Sequence, residues 1–326
     1  MNAESATLKA FASHDQVQPL SSAETHVLLD ASSLINLERG QPFSFDALGE
    51  ILRERHARLV LTRTNVLELS ASASKTGEFL PVRTTLLEIE RLPVVYLREG
   101  GITYAELKEA VNAFTEHREF RRDNPYVKRW DETLVVQGPS PAAILVDQRL
   151  DELVFMLWKR GALSLTERRW GKLLEQQFKE DRKLPAQTRK AIRKSFPMAL
   201  RRHLSQFSIR FPEEKVQELA EWIYEDPERC PGHRFSYDVR QELMNNVTSR
   251  ISGNDISDIA HVEAVPYVDS ITMDRRTADL CRRVSKRLSN NHPSIRYRER
   301  IFSSLNELLS ARPGPFTRPP RMKARS

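Results

Sequence analysis

Cysteine is nearly absent: Cys230 and Cys281 are the two in 326 residues. Two thiols cannot build a disulfide framework, and their scarcity points to a reducing compartment, so the expected location is cytoplasmic. Long apolar runs are missing as well. No window approaches the roughly 20 continuous apolar residues that span a bilayer, so no membrane partner is expected. Met1 to Ser22 lacks the basic-then-apolar order of a secretory signal. No Gly-rich loop of the Walker kind occurs, which removes a P-loop from consideration. Asp30 has no Asp two positions later, which disfavours an aspartyl-phosphate phosphatase.

What is present suits a soluble α/β chain. Apolar residues make up 40% and charged residues 29%, enough for a sizeable core under an ordinary charged surface. The length suits one large domain with an insertion, or two domains. Lys and Arg outnumber Asp and Glu by 51 to 44, for a net charge of +7. The excess is unevenly spread. Arg182 to Arg210 holds nine Lys or Arg residues and no acid, and Arg275 to the C-terminus holds fourteen basic residues against three acids. Such runs are either solvated helix faces or a surface that tracks phosphates.

Residues 1–23 are polar and aperiodic and read as a mobile leader. His26-Val-Leu-Leu-Asp30 is an apolar run ending in an acid, the pattern of a buried strand. Phe45 to His56 has helical spacing, Leu59 to Thr62 reads as a second strand, and Thr64 to Ser70 as a helix with Thr64 as its N-cap. Val94 to Leu97 is a third strand. Residues 99–250 then read as a mostly α-helical insertion, broken by prolines at 125, 141, 185, 197, 212 and 227. The α/β character resumes over 251–311. There Asp255 to Val265 is expected to be a helix capped by Asn254, Tyr267 to Thr272 a strand, and Arg275 to Leu288 a basic amphipathic helix. Ser294 to Arg298 is expected as the last strand and Ile301 to Leu309 as a closing helix. Residues 312–326 form a Pro-rich basic tail expected to be disordered. The fold class expected is a parallel-sheet α/β domain, 24–98 plus 251–311, interrupted by the helical insertion.

Acids fall where an open parallel sheet would place a site, at the carboxyl ends of strands. Asp30 ends the first strand, and Asp274 lies just past the strand at 267–272. Asp255 and Asp258 share one face of a helix's first turn, where the positive end of the dipole favours carboxylates. Glu68 lies in the helix after the second strand. Carboxylates gathered at one place repel, and a hard divalent cation with oxygen ligands is the natural compensation. Each has a plainer reading too: Asp255 suits a helix cap, Glu68 a solvated helix face, Asp269 an edge-strand position, and His261 a core or surface histidine. Asp30 is the hardest to explain structurally, because a carboxylate after an apolar run costs energy unless paired.

Taken in order, Val27-Leu-Leu-Asp30-Ala-Ser-Ser-Leu34, Asn65-Val-Leu-Glu68, Asp255-Ile-Ser-Asp258 and Ile271-Thr-Met-Asp274 resemble the acidic signature of PIN-like nucleases. The resemblance covers roughly residues 24–98 and 251–310. It implies a parallel sheet with helices on both sides and an endoribonuclease using Mg²⁺ or Mn²⁺, with RNA as partner. It further implies Asp30, Glu68, Asp255 and Asp274 as metal ligands, with Asp258 in the same catalytic cluster. Thr272 would donate to a phosphate or position Asp274, Asn65 and Ser32 would orient carboxylates or water, and Arg275 and Arg276 would hold substrate phosphates. Arg189, Lys190, Arg193 and Lys194, in the basic stretch of the insertion, are expected to add phosphate contacts. A toxin-like or defence effector fits this description, which makes an inhibitory protein or a second copy of the chain a further partner to look for. Two departures stand out: the insertion separates the second and third acids much further than in small PIN toxins, and the third position is doubled by Asp255 and Asp258. A catalytically inactive RNA- or protein-binding module and a structure-specific DNA nuclease are the competing readings.

Other patterns carry less. Cys230-Pro-Gly-His233 has metal-like spacing with no second Cys/His pair nearby. Arg287 and His292 match the spacing of another ribonuclease class, but Asn290-Asn291 intervene and Pro293 follows at once. Trp130, Trp158, Trp170 and Trp222 all lie in the insertion and read as core anchors.

Overall fold

The computed structural model describes residues 24–40, 44–134, 149–159, 196–245, 259 and 261–311, with isolated helical positions at 176, 179–180 and 183. Its centre is a six-stranded sheet built from β1 (Thr25–Leu28), β2 (Ala57–Thr62), β3 (Val94–Leu97), β4 (Tyr126–Val127), β5 (Ser270–Thr272) and β6 (Ile301–Phe302), in the order β4-β3-β2-β1-β5-β6. All neighbours are parallel except β3 and β4. The chain runs outward from β1 to β2 and β3, then returns to the other side of β1 with β5 and β6. The strand order therefore reverses between β1 and β5, and in open α/β sheets a crevice opens at the carboxyl ends beside such a reversal.

Alternation along the strands divides the core. Val27, Leu29, Leu59 and Leu61 face one apolar cluster, and Leu28, Val60, Val95, Leu97 and Ile271 face the other. A two-residue period puts successive side chains on opposite faces, so β1, β2, β3 and β6 feed both layers. The first layer contains α1 (Ala31–Glu38), α2 (Phe45–Glu54), α3 (Arg63–Thr76), α4 (Leu80–Glu90), α6 (Leu150–Lys159) and α11 (Leu305–Ser310). The second contains α9 (Pro231–Asn245), α10 (Arg275–Asn291) and the start of α5 (Glu99–Thr115). A third apolar cluster lies outside this sandwich. The far sides of α5 and α9 pack there against α7 (Phe196–Gln206) and α8 (Val216–Glu225).

Four described segments between 99 and 250 are thus bound into the sheet domain. β4 extends the sheet, Ile102 of α5 and Phe235, Val239 and Leu243 of α9 cover one face, and Leu150, Leu153 and Val154 of α6 pack on the other. Sequence periodicity identifies these segments as helical but carries no record of which surface each one covers.

Local chemistry adjusts several expected boundaries. The cap of α3 is Thr62, not Thr64: its hydroxyl accepts from Asn65 N at 3.1 Å, and Asn65 Oδ1 accepts from Thr62 N at 3.0 Å. This reciprocal arrangement satisfies two backbone donors at once. Val265–Tyr267 forms a 3₁₀ turn at Pro266 and the strand starts only at Ser270, because the Tyr267 N–H is spent inside the turn on Ala264 O at 2.8 Å. The last strand is Ile301–Phe302 rather than 294–298, where Tyr297–Arg300 makes another 3₁₀ turn, and the closing helix begins at Leu305 behind Ser304 as N-cap. The leader, the Asp255–Val265 helix except positions 259 and 261–265, the basic stretch at 184–195 and the tail at 312–326 lie outside the described residues. No described helix is long and apolar enough to cross a membrane.

Candidate active site at the carboxyl edge of the sheet

Asp30 follows β1 and is the N-cap of α1, with Oδ1 accepting from Ser33 N at 3.3 Å. Asp274 follows β5 and is the N-cap of α10, accepting from Arg276 N at 2.8 Å and from Thr277 N. Leu28 pairs with Ile271 across parallel strands, so the two acids emerge side by side at the same end of the sheet. Two helices begin there, each adding partial positive charge from its free N–H groups.

Thr272 joins the two strands' ends. Its hydroxyl accepts from Asp30 N at 2.9 Å and donates to Asp30 Oδ1 at 2.8 Å. Because its one proton is committed to Asp30, the 3.3 Å contact with Ser33 Oγ is one in which Ser33 donates. Ser32 Oγ donates to Asp30 Oδ2. Asp30 is thus held by neutral hydroxyls and a backbone N–H. Among the described residues, neither Asp30 nor Asp274 has a basic side chain within ion-pair distance. Thr272 therefore positions Asp30 rather than Asp274. Ser33 is a contributor that the sequence reading missed; its place three residues after a helix-capping Asp is the signal that was available.

Asn65 is fully buried and its amide donates to Leu29 O at 2.8 Å. It fastens the start of α3 to the end of β1, immediately before Asp30, and among the described residues it hydrogen-bonds to no carboxylate. Glu68, in the second turn of α3, lies 3.7 Å through Oε2 from Nε2 of the buried His261. Arg275 and Arg276 open α10 beside Asp274. Asp255 and Asp258, and the basic residues Arg189, Lys190, Arg193 and Lys194, lie outside the described residues. Among the described residues, no group of three or more His, Cys, Asp or Glu is arranged to hold a metal ion. The donor chemistry of the described acids still fits a hard divalent cation: oxygen ligands, no basic side chain paired with Asp30 or Asp274 among the described residues, and hydroxyls that fix one carboxylate's orientation.

Two other features belong to the scaffold. Asp269 lies at the opposite end of the sheet, where Oδ2 accepts from His26 N at 2.8 Å and its own N–H donates to His26 O at 2.9 Å. It locks β1 to β5 at their amino ends. Burial lowers the His26 pKa, and the ring stacks on Tyr126 at 4.3 Å. Cys230 and His233 both bond Glu106, the thiol at its backbone carbonyl and the His233 N–H at its buried carboxylate. The thiol donates to Glu106 O at 3.4 Å, and His233 N donates to Glu106 Oε2 at 2.7 Å. Burial raises the thiol pKa and lowers that of the imidazole.

Compared with known proteins, the chain matches no family model, no curated protein and no solved structure.

Proposed function

We propose that this chain is a metal-dependent endoribonuclease of the PIN-like type, with RNA as substrate and Mg²⁺ or Mn²⁺ as cofactor. The observation that carries the reading is that Asp30 and Asp274 leave adjacent parallel strands at the same edge beside the strand reversal, with Asp30 held by Thr272 of β5 and neither acid having a basic partner among the described residues. The order of the acidic motifs and a parallel sheet covered on both faces agree with the resemblance to that family. In this reading the chain from 99 to 250 is an elaboration of the PIN-like domain whose first helix and last helix cover the sheet.

Asp30, Asp274 and Glu68 would hold the cation, with Asp255 and Asp258 completing the set. The ion, when bound, supplies a Lewis acid that makes water nucleophilic at neutral pH and offsets charge on the leaving oxygen. Thr272, Ser32 and Ser33 hold the Asp30 carboxylate in one orientation, so little reorganisation is needed when the cation and a phosphate arrive. The positive dipole ends of α1 and α10, each capped by one of the acids, favour negative charge at this edge, which suits the scissile phosphate. Arg275 and Arg276 lie where they can pair with flanking phosphates, and Arg189, Lys190, Arg193 and Lys194 would add contacts further along the RNA. A cytoplasmic toxin-like or defence role, restrained by an inhibitory protein or by self-association, is the biological setting that such an activity suggests.

The test is cleavage of a labelled single-stranded RNA in Mn²⁺ or Mg²⁺, wild type beside Asp30→Asn. The variant should bind RNA and cut none. Wild-type cleavage that persists in EDTA, or an Asp30→Asn protein that cuts at the wild-type rate, overturns the mechanism. Binding without cleavage by the wild type favours an inactive module, and cleavage confined to a parallel DNA substrate favours a DNA nuclease.

A further inference from the structure

Two arginines stand on the side of the site away from Asp274. Arg63 is the first residue after β2 and Arg98 the first after β3. Register aligns them. Thr62 pairs with Leu97, so Arg63 and Arg98 leave adjacent parallel strands at the same level. Leu28 pairs with Val60, which puts Asp30 level with Thr62. With strands about 4.8 Å apart, Arg63 and Arg98 lie roughly 5 and 10 Å sideways from the end of β1. The helices that follow, α3 and α5, cover opposite faces of the sheet, yet they touch. The carboxyl edge, where both begin, is the place where such helices can meet.

Both side chains are half-buried, and in both the Nε is buried without a hydrogen-bond acceptor. Among the described residues neither makes an ion pair, whereas the arginines that flank them in sequence, Arg58, Arg83, Arg91 and Arg118, all do. A buried guanidinium N–H left unsatisfied costs free energy, and most native proteins avoid it. Gly101 adds a specific accommodation. A Cβ there would fall 2.6 Å from Arg98 Cδ and 2.8 Å from Cγ. Only glycine lets the Arg98 stem lie flat against the first turn of α5. The fold therefore holds a cation at this position and, among the described residues, provides no anion to meet it.

We propose that Arg63 and Arg98 form a phosphate-binding row that carries the RNA backbone across the ends of β2 and β3, away from the acidic pair. Arginine forks match phosphate oxygens in a bidentate manner. The first turns of α3 and α5 add N–H groups and dipole charge to the same row. RNA would then cross the strand ends at right angles, with Arg63 and Arg98 on one side of the scissile phosphate and Arg275 and Arg276 on the other. This assignment rests on the nuclease reading for its ligand, but its test does not require cleavage.

The measurement is fluorescence anisotropy with a labelled single-stranded uridine RNA of about a dozen nucleotides, in the Asp30→Asn background, across a series of salt concentrations. Replacing both arginines by glutamine should weaken binding at least tenfold. It should also lower the slope of log affinity against log salt by about 1.4, since each single-strand phosphate no longer neutralised removes about 0.7. Lysine at both positions keeps the charge and should keep the slope. The single Arg63→Gln and Arg98→Gln variants should each lower it by about 0.7, which serves if the double variant does not fold. Unchanged affinity and slope in the glutamine variants overturn the row, as does a parent protein that binds no RNA. An Asp30→Asn protein that still cleaves overturns the metal-carboxylate mechanism and leaves the binding result to stand separately.

Discussion

Asp274 and Glu106 both receive two backbone N–H groups from the first turn of a helix, but they sit in different surroundings. Asp274 caps α10 from a half-buried position at the carboxyl edge of the sheet. Glu106 lies inside the protein, 4% exposed, where it accepts from Gly232 N and His233 N at 2.7 Å each and from the Tyr267 hydroxyl. It anchors the start of α9 to α5. Gly232 permits the approach, since a Cβ there would lie 2.7 Å from Ile102 Cγ2. Burial raises the Glu106 pKa to about 7, although its three hydrogen bonds pull the other way. Similar donors thus serve two ends. Where solvent is excluded, the carboxylate organises packing at a cost in desolvation. At the sheet edge, carboxylates held by hydroxyls and N–H groups stay half-buried, as the proposed cation site requires.

The largest expected effect separates these two sites by activity. Asp30→Asn and Asp274→Asn should each bring RNA cleavage down to background. Their thermal midpoints should be unchanged or raised, because each removes one member of a repelling set in the metal-free protein. Glu106→Gln should keep metal-dependent cleavage at pH 7. A folded Glu106→Gln protein without cleavage would break the comparison.

The second effect is on stability against pH. The folded pKa of Glu106, about 7, lies above its ordinary value of 4.5. Between those values the folded protein holds a proton that the unfolded chain has released, so this group's contribution falls as pH rises from about 4.5 to 7 and is level above that. The difference amounts to something on the order of 3 kcal/mol for a shift of this size. Denaturation midpoints of wild type and Glu106→Gln across this range should show the wild type losing more stability than the variant. Parallel curves would place the Glu106 charge in an environment less costly than its burial indicates.

Thr272→Val should come third. It strands Asp30 N and Ser33 Oγ and frees one side of the Asp30 carboxylate, a loss of about 1–3 kcal/mol. Thr272→Ser should recover most of it. A valine variant as stable as wild type would mean that water replaces the hydroxyl at this edge. The smallest effect is expected for Asp269→Asn at the amino end. The amide can still accept from His26 N, and the partly exposed charge contact at 3.9 Å contributes at most about 1 kcal/mol. Loss of cleavage in that variant would show that the two ends of the β1–β5 pair are coupled.

Much of the α/β pattern is legible in the chain. The apolar runs of β1, β2 and β3, the helices around them and the position of Asp30 at a strand end all follow from periodicity and composition. The strand at 301–302 escapes such a reading, because two apolar residues cannot by themselves be told from the start of a helix. α9 escapes it differently. Its residues are buried on nearly every side, between the sheet and α7 and α8, so no polar stripe marks its orientation.

The sequence by itself determined which residues can end a strand in an acid, cap a helix or fill two opposite faces, because those preferences act over a few residues. Tertiary structure decided which of these acids become neighbours. Asp30 and Thr272 meet across 242 positions, and Asp269, three residues past Pro266, is sent to the opposite end of the sheet by the register of β5 against β1. Parallel pairing is set by long-range packing on both faces of the sheet, a choice that no local pattern encodes.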